Sequence, residues 1–470
     1  MVAPRAGYTC PDMADASFEA AFDRALGQLN NGQPDQAHAT MAPFHEEGLQ
    51  APQRAADLLR LWQATPDAPQ LVQRVGELAT AHVRDPQLVL IACDALIRAA
   101  ERVPPDEPPA QGGPALAAVD LAQQGLSALA ESARGTETHA FLQMAYGNAL
   151  RLAHLFDRAK SAMESALKKR PDHGPWWFNL GLLHKQQRDF AAGLEANQRA
   201  QALLGKDHRA VLWNLAICAT AVGKGELAVG AFEQLGLQGV GLAPSGMPQI
   251  AHMPPVQVRV ATVGPGHMGP SHVPDTAVGM ELVWVNPLGP CHGVVASPTY
   301  RQGSVDYGDV VLWDAVPVGV SRSPEGAPVP RFPLLARLRA GDEHRFRFVA
   351  LERKSGAITT LEGPLEPTGQ LFVHRERVST RLDPEQPSGP ANLATGELVY
   401  GKVVLPGDAD LQAFRKEFER QVQQADVELV IPELLEVLGD TPAAGKAHTL
   451  WRGLERTVEK KRSGKSGDLT

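Results

Sequence analysis

Cysteine is scarce in this chain, and its few cysteines stand far apart. The 470 residues contain four of them: Cys10, Cys93, Cys218 and Cys291. Such spacing matches neither the paired cysteines of a zinc module nor the dense pattern of a disulfide-rich secreted domain. We therefore expect free thiols in a reducing compartment.

Long apolar runs and a strong charge of one sign are also lacking. No stretch of about 18 apolar residues could span a bilayer, and residues 1–17 have no apolar core of a signal peptide. The cytoplasm is thus the expected compartment, without a membrane partner. The net charge is −8, from 45 Lys and Arg against 53 Asp and Glu. Because no positive field covers the surface, no nucleic-acid partner is predicted.

Motifs that identify an enzyme are missing as well. The sequence has no GxxxxGK[ST], GxSxG or HExxH, which are the patterns of a phosphate-binding loop, a nucleophile elbow and a helix-borne zinc site. We predict no catalytic residue, no cofactor and no metal, and expect that the chain is not an enzyme.

A period of about 34 residues is present in the first half. The triplets Ala-Tyr-Gly, Asn-Leu-Gly and Asn-Leu-Ala end at Gly147, Gly181 and Ala216, with offsets of 34 and 35 residues. Further small residues recur with the same period, at Ala159, Gly193 and Ala228. The pattern resembles the tetratricopeptide repeat, whose two helices cross closely at small residues. Pro171 matches the proline that ends the second helix of a repeat.

The resemblance implies an α-helical solenoid of the tetratricopeptide type, clear for residues 140–237. The aromatic position of the family is kept at Phe232 but holds Met163 and Asn197 in the preceding units. One degenerate unit upstream is marked by Ala25, Gly32, Ala37 and Met41. We predict a solenoid over 16–237 after a disordered N-terminus at 1–15.

The helical period disappears after Gly236, and a β-rich module is predicted instead. Residues 238–255 are rich in Gly and Pro and indicate a linker. Over 256–405, short runs of Val, Thr, Trp and Phe alternate with turns, which is typical of a small antiparallel barrel or sandwich. The predicted strands are Val256–Val263, Glu281–Val285, Gly293–Ala296, Asp309–Trp313, Phe346–Leu351 and Leu371–His374. The turn and strand of Asp306–Asp314 suit an SH3-like barrel.

A helical segment is predicted for 406–459, followed by a disordered tail at 460–470. Leu411, Phe414, Phe418 and Val422 form an apolar stripe, which could cover the barrel or dock on the solenoid. The fold class is therefore multidomain α + β, with a tetratricopeptide-like solenoid followed by a small β barrel or sandwich and covering helices.

The resemblance also implies a peptide-binding groove, because the first helix of each repeat lines the inner side of such arrays. In family members that clamp a C-terminal carboxylate, two asparagines act with three basic residues. Asn148 and Asn179 match the asparagines by register, whereas the basic positions hold Met144, Ala210 and Asn214. Strong carboxylate binding at these positions is therefore not expected. The predicted groove residues are Asn148, Phe178, Asn179, Leu182 and Asn214.

Two alternatives stay open at this point. The asparagines could instead bond neighbouring helices. The chain could also be an enzyme or a metal- or ligand-binding protein with its site in the β module, where the candidate ligands are His252, His267, His272, Cys291 and His292. The stretch Arg345-Phe-Arg-Phe348 alternates basic and aromatic residues, which favours a half-buried strand over a nucleic-acid platform. We predict a scaffold or adaptor that captures a partner protein or peptide.

Overall fold

The computed structural model describes most of the chain as two compact units, Met1–Val222 and Gly223–Thr470. The described residues are 17–465 except 68–69, 106, 264–277, 300–301, 324–325, 353–355, 362–364, 366–368, 375–378, 382–394 and 426. The predicted disordered N-terminus at 1–15 lies outside them.

Helices make up the first unit, as predicted. They are α1 (Phe18–Asn30), α2 (Pro34–Met41), α3 (His45–Gln50), α4 (Pro52–Ala64), α5 (Leu71–Ala81), α6 (Pro86–Ala100), α7 (Pro114–Ala128), α8 (Glu137–Leu152), α9 (Phe156–Lys169), α10 (Gly174–Gln186), α11 (Phe190–Leu204) and α12 (Arg209–Ala221). Helix α8 packs on α9, α10 packs on α11, and α12 packs on α11. Proline in the first turn starts several helices, and the side chains of Ser17, Asp85, Thr136 and Asp189 cap α1, α6, α8 and α11.

Glycines on the first helix of each pair permit the close crossing. A Cβ atom built on Gly147 would lie 2.6 Å from Cγ of Met163, and one on Gly181 would lie 2.5 Å from Nδ2 of Asn197. Met163 and Asn197 are fully buried and occupy the positions where the sequence departs from the family's aromatic residue. Because Met163 and Asn197 pack directly on glycine, they fill the place of the family's aromatic residue, and the two helices of each pair still cross closely.

The turn between the helices of a pair repeats as well. Gly32, His154 and Arg188 all have positive φ, of 71°, 58° and 63°. In each turn this residue donates its N–H to the carbonyl three residues before it, and the next residue donates to the carbonyl five before itself. This is the Schellman ending of a helix. Gly236 and Gly439 end helices of the second unit in the same way, so this geometry shows how α1, α8 and α10 end and does not identify a repeat by itself.

The second unit begins with α13 (Gly225–Gln234), in which Ala228 and Phe232 are buried. Strands β1 (Val240–Leu242) and β2 (Pro248–Ile250) form a hairpin that packs on α13. Residues 238–255, interpreted from sequence as a linker, are therefore structured. The glycines that suggested a linker serve the hairpin, where Gly239 and Gly246 have φ of 72° and 80°.

A closed barrel follows, which confirms the predicted β barrel. Its sheet contains β3 (Val256–Val263), β4 (Val278–Gly289), β5 (His292–Val295), β6 (Gln302–Gly303), β7 (Val310–Trp313), β8 (Gly319–Arg322) and β9 (Pro328–Arg339), in the order β6-β3-β4-β5-β7-β9-β8. An additional parallel pairing of β3 with β9 closes five strands into the barrel. Inward-facing valines and Trp313 form its core.

A second, antiparallel sheet lies beside the helices of the C-terminal region. It contains β10 (His344–Glu352), β11 (Gln370–His374), β12 (Ser379–Arg381), β13 (Thr395–Leu405) and β14 (Val427–Val430), in the order β11-β13-β10-β14 with β12 on β13. The helices are α14 (Leu411–Gln424), α15 (Pro432–Val437) and α16 (Thr441–Lys465). The stripe of α14 packs on this second sheet, where Phe414 and Phe418 share a core with Phe346 and Phe348.

Two C-terminal predictions need correction. The segment 406–459 is not wholly helical, because β14 completes the second sheet through four residue pairs with β10. The predicted tail at 460–470 is helical as far as Lys465, since Lys, Arg and Glu are good helix formers and extend a helix that is already nucleated. Residues 466–470 lie outside the described part.

Gly181 and Gly76 provide a matched test of the helix crossing. Both lie inside helices of the first unit, but a Cβ on Gly76 would meet nothing within 4 Å. We expect Gly181→Ala to lower the free energy of unfolding by about 1–3 kcal/mol, because Asn197 must move. Gly76→Ala should raise it by about 0.5–1 kcal/mol. Urea unfolding followed by circular dichroism measures both. Equal effects of the two changes would contradict the assigned crossing.

Arg188 tests the repeated turn. A non-glycine residue in the left-handed region costs roughly 1 kcal/mol, and the Arg188 side chain is exposed. Arg188→Gly should therefore raise the melting temperature, whereas Arg188→Ala, which keeps the backbone strain, should not. A melting temperature that is lower for glycine than for alanine would show that the turn does not carry this strain.

Candidate functional site

Four of the five predicted groove residues lie on the first helix of a described pair, and the fifth lies on α12. Asn148 is on α8, Phe178, Asn179 and Leu182 are on α10, and Asn214 is on α12. The first four side chains are partly exposed, whereas Asn214 is only 4% exposed. The structure thus places three of the five side by side on α10.

Asn214 bonds a neighbouring helix. Its Oδ1 accepts a hydrogen bond of 2.8 Å from Nζ of Lys185 on α10. Lys185 is itself buried, with 3% of its surface exposed. For Asn214 the structure therefore shows the alternative role, in which the amide supports the array.

Asn148 differs, because its Oδ1 is buried and has no hydrogen-bond partner. A buried amide oxygen without a donor carries a desolvation cost that a ligand N–H could offset. Among the predicted groove residues, Asn148 is the one whose amide oxygen has this unmet requirement.

Aromatic side chains lie near the N-terminal ends of α10 and α12. The Phe178 ring lies 5.9 Å from the ring of His208, just before α12. The Phe141 ring meets Trp176 edge-on at 5.0 Å, and Trp176 lies 4.4 Å from His173. Burial is the main cause that lowers the pKa of His173, so its imidazole stays neutral at physiological pH. Trp176 is buried, whereas Phe141, His173 and Phe178 are partly exposed and give the surface an apolar portion beside its amides.

Two buried basic residues were missed from the sequence, Arg151 and Lys185. Each stands four residues after the crossing glycine of its helix, and the two are separated by 34 residues. Arg151 is 4% exposed and reaches Oε1 of Glu101 and Oε1 of Gln186, both at 3.4 Å. The recurrence of a basic residue at this offset was the signal that could have identified them.

These contacts form a polar row across successive helices. Glu101 follows α6, Arg151 belongs to α8, and Gln186 and Lys185 belong to α10, from which the row continues to Asn214 on α12. Burial lowers the pKa of Arg151 and Glu101 acts in the opposite direction. Arginine side chains are effectively always protonated in proteins, so Arg151 carries a positive charge at neutral pH.

Three of the five candidate ligands in the β module, His252, Cys291 and His292, lie within the described residues. Cys291 and His292 are both buried, and burial lowers the pKa of His292 to about 4. His252 is exposed, and His267 and His272 lie outside the described residues. In the part of the chain that the structure describes, no three His, Cys, Asp or Glu side chains could hold a metal ion together.

The basic and aromatic strand has the alternation that its sequence predicts. Phe346 and Phe348 are buried in the core of the second sheet. Arg345 donates to the carbonyl of Tyr307 and pairs with Asp309 at 3.3 Å, while the backbone N–H of Arg347 donates to Glu433 at 2.8 Å. Because both rings are inaccessible, they cannot stack on nucleotide bases.

Three cysteines lie in the described part, Cys93, Cys218 and Cys291; all are buried, and within that part none is in a disulfide bond. Burial raises the pKa of the Cys93 thiol to about 12, with a smaller contribution from Asp94. Cys10 is outside the described residues. Within that same part, no helix is long and apolar enough to cross a membrane.

Comparisons with known proteins give structural neighbours alone. No family model matches the chain, and no curated protein matches it. MamA from Desulfovibrio magneticus RS-1 (residues 41 to the end) is 16% identical over 47% of this chain and 91% of its own, with a TM-score of 0.28. Pseudomonas aeruginosa PilF is 12% identical over 46% and 90%, with a TM-score of 0.32.

The fold assignment rests on the geometry of the first unit. The period of 34 residues, the glycine crossings at Gly147 and Gly181, and the repeated turns at His154 and Arg188 are features of one repeating helix pair. The N-terminal part of the chain is a helical solenoid that resembles the tetratricopeptide repeat, most clearly from α8 to α12.

Proposed function

We propose that the chain is a non-catalytic scaffold or adaptor. The surface formed by α8, α10 and α12, called the groove below, captures an extended segment of a partner protein. The β module acts as a second docking domain. The solenoid is suited to this role because it presents similar side chains at regular intervals, which match the repeating backbone of an extended peptide.

The observation that carries the proposal is the composition of the exposed part of α10 beside Asn148. Phe178 and Leu182, four residues apart, share one face of the helix, and Asn179 lies next to Phe178. All three are partly exposed, and the unpartnered amide oxygen of Asn148 is on the neighbouring helix α8. Apolar side chains beside amides can hold a partner side chain and bond its backbone at the same time.

Site-specific photo-crosslinking tests the groove in the full-length chain. A benzophenone amino acid replaces Leu182 in one variant and Gln198, which is exposed on α11, in the control. We expect discrete adducts of higher mass from the Leu182 position and none of the same mass from the Gln198 position, because only the first faces the groove. Mass spectrometry identifies the crosslinked partner peptide. Identical adducts from both positions would place the binding surface elsewhere.

Asn179 and Asn214 should behave differently when each is changed to alanine. Asn179→Ala should weaken the crosslinked complex without changing the melting temperature, because its side chain is partly exposed. Asn214→Ala should lower the free energy of unfolding by about 1–3 kcal/mol, because it removes a buried acceptor of Lys185. Thermal unfolding and quantitative crosslinking measure the two effects. An Asn179→Ala variant that crosslinks as strongly as the wild type would exclude Asn179 from the groove.

A further inference from the structure

Arg151 stands out among the charged residues of the first unit because it is buried and yet loosely held. Its guanidinium reaches one carboxylate, that of Glu101, at 3.4 Å, and one amide, that of Gln186, also at 3.4 Å. Two exposed or half-buried arginines of this unit have a closer carboxylate: Arg98 lies 2.7 Å from Asp94, and Arg170 lies 3.0 Å from Glu137. Charge-assisted hydrogen bonds between these groups are usually about 2.7–2.9 Å long.

Two neighbouring polar atoms lack any partner. Nε of Arg151 is buried and has no acceptor, and Oδ1 of Asn148 is buried and has no donor. The two residues are three positions apart on α8 and therefore lie on the same face of the helix. An unbonded buried donor of a cation and an unbonded buried acceptor both cost free energy. The pair thus offers one donor and one acceptor to a ligand.

The Glu101 side chain is exposed enough to be displaced from Arg151 by another carboxylate. Its side chain is 51% exposed, against 5% for that of Arg151. Glu101 is the C-cap of α6, and its backbone N–H still donates to the carbonyl of Ile97 at 2.9 Å, so only its side chain has to move away from Arg151. Since solvent can hydrate the freed carboxylate, exchanging Glu101 for another carboxylate costs little.

From these contacts we infer that Arg151 receives an acidic side chain of the partner segment. The ligand carboxylate takes the place of Glu101 and accepts hydrogen bonds from Nε and Nη2 of Arg151, in the two-pronged geometry that guanidinium favours. Asn148 Oδ1 accepts a backbone N–H of the same segment. A carboxylate fits because Glu101 already occupies the site with this group. The inference rests on the proposed function and adds the chemistry of the partner, an internal Asp or Glu.

Blocked peptides test the inference with the full-length chain. The probes are tetraglutamate and tetraglutamine, each amidated at the C-terminus and carrying a neutral boron-dipyrromethene fluorophore on the N-terminus, so that the Glu side chains are the sole carboxylates. Fluorescence anisotropy should show binding of tetraglutamate, weakened by salt, and little binding of tetraglutamine. Arg151→Gln should weaken tetraglutamate binding about tenfold or more. Glu101→Gln should strengthen it about threefold or more, because the internal competitor is lost.

Arg102→Gln is the matched control, since Arg102 is next to Glu101 in sequence, is exposed and pairs with Asp67. It removes the same charge and should change the affinity by less than about twofold. Arg151→Lys serves as a second variant if Arg151→Gln unfolds, and should also bind more weakly because lysine cannot make the paired contact.

The outcomes separate this inference from the proposed function. If folded Arg151→Gln binds tetraglutamate as the wild type does, or if Glu101→Gln binds it more weakly, Arg151 is only a link between helices and the inference is wrong. In that case a partner adduct at Leu182 would still support the groove. If the Leu182 adduct is absent, the proposed function itself fails.

Discussion

The close crossing of helices at glycine determines most of the first unit. Gly147 lets Met163 approach α8, and Gly181 lets Asn197 approach α10, at distances that leave no room for a Cβ atom. The crossing sets the distance between the two helices of a pair, and it thereby also sets the position of the pair that follows. The residue four positions after each glycine is thereby brought to a constant place in the array. Arg151 and Lys185 occupy that place, so the polar row is a consequence of the packing.

Apolar burial and polar contacts have different roles in this arrangement. The core of the first unit is largely Ala and Leu, with buried side chains from α1 to α11, and its contribution is non-directional. The contacts of Lys185 with Asn214 and of Arg151 with Gln186 are directional and join successive first helices. They therefore favour one register of the helices among several that the apolar surfaces could accept.

The parts that the sequence predicts correctly depend on short-range patterns. Helices α8 to α12 follow from the 34-residue period, and β3 has the predicted bounds, Val256–Val263, because valine alternates there with polar residues. Strand β9 was missed because Pro328, Pro330 and Pro333 argue against a strand; the structure accommodates them within its sheet pairings. Strand β14 is four residues long and depends on pairing with β10, which lies about 80 residues earlier and leaves no local signal. The roles of Arg151 and Asn214 depend on partners 29 to 50 residues away.

Burying Arg151 needs a reason beyond holding helices together. Apolar side chains of similar volume often replace a buried ion pair without loss of stability, and the neighbouring positions of α8, Ala149 and Leu150, are buried and apolar. The Arg151 guanidinium is buried, lies 3.4 Å from its carboxylate and has an unbonded Nε. It is therefore a weak structural link. The same features suit a receptor, because the desolvation of the cation is already complete in the free protein. A carboxylate that binds there meets an oriented donor. The site selects a carboxylate over a neutral amide because the buried guanidinium is positively charged.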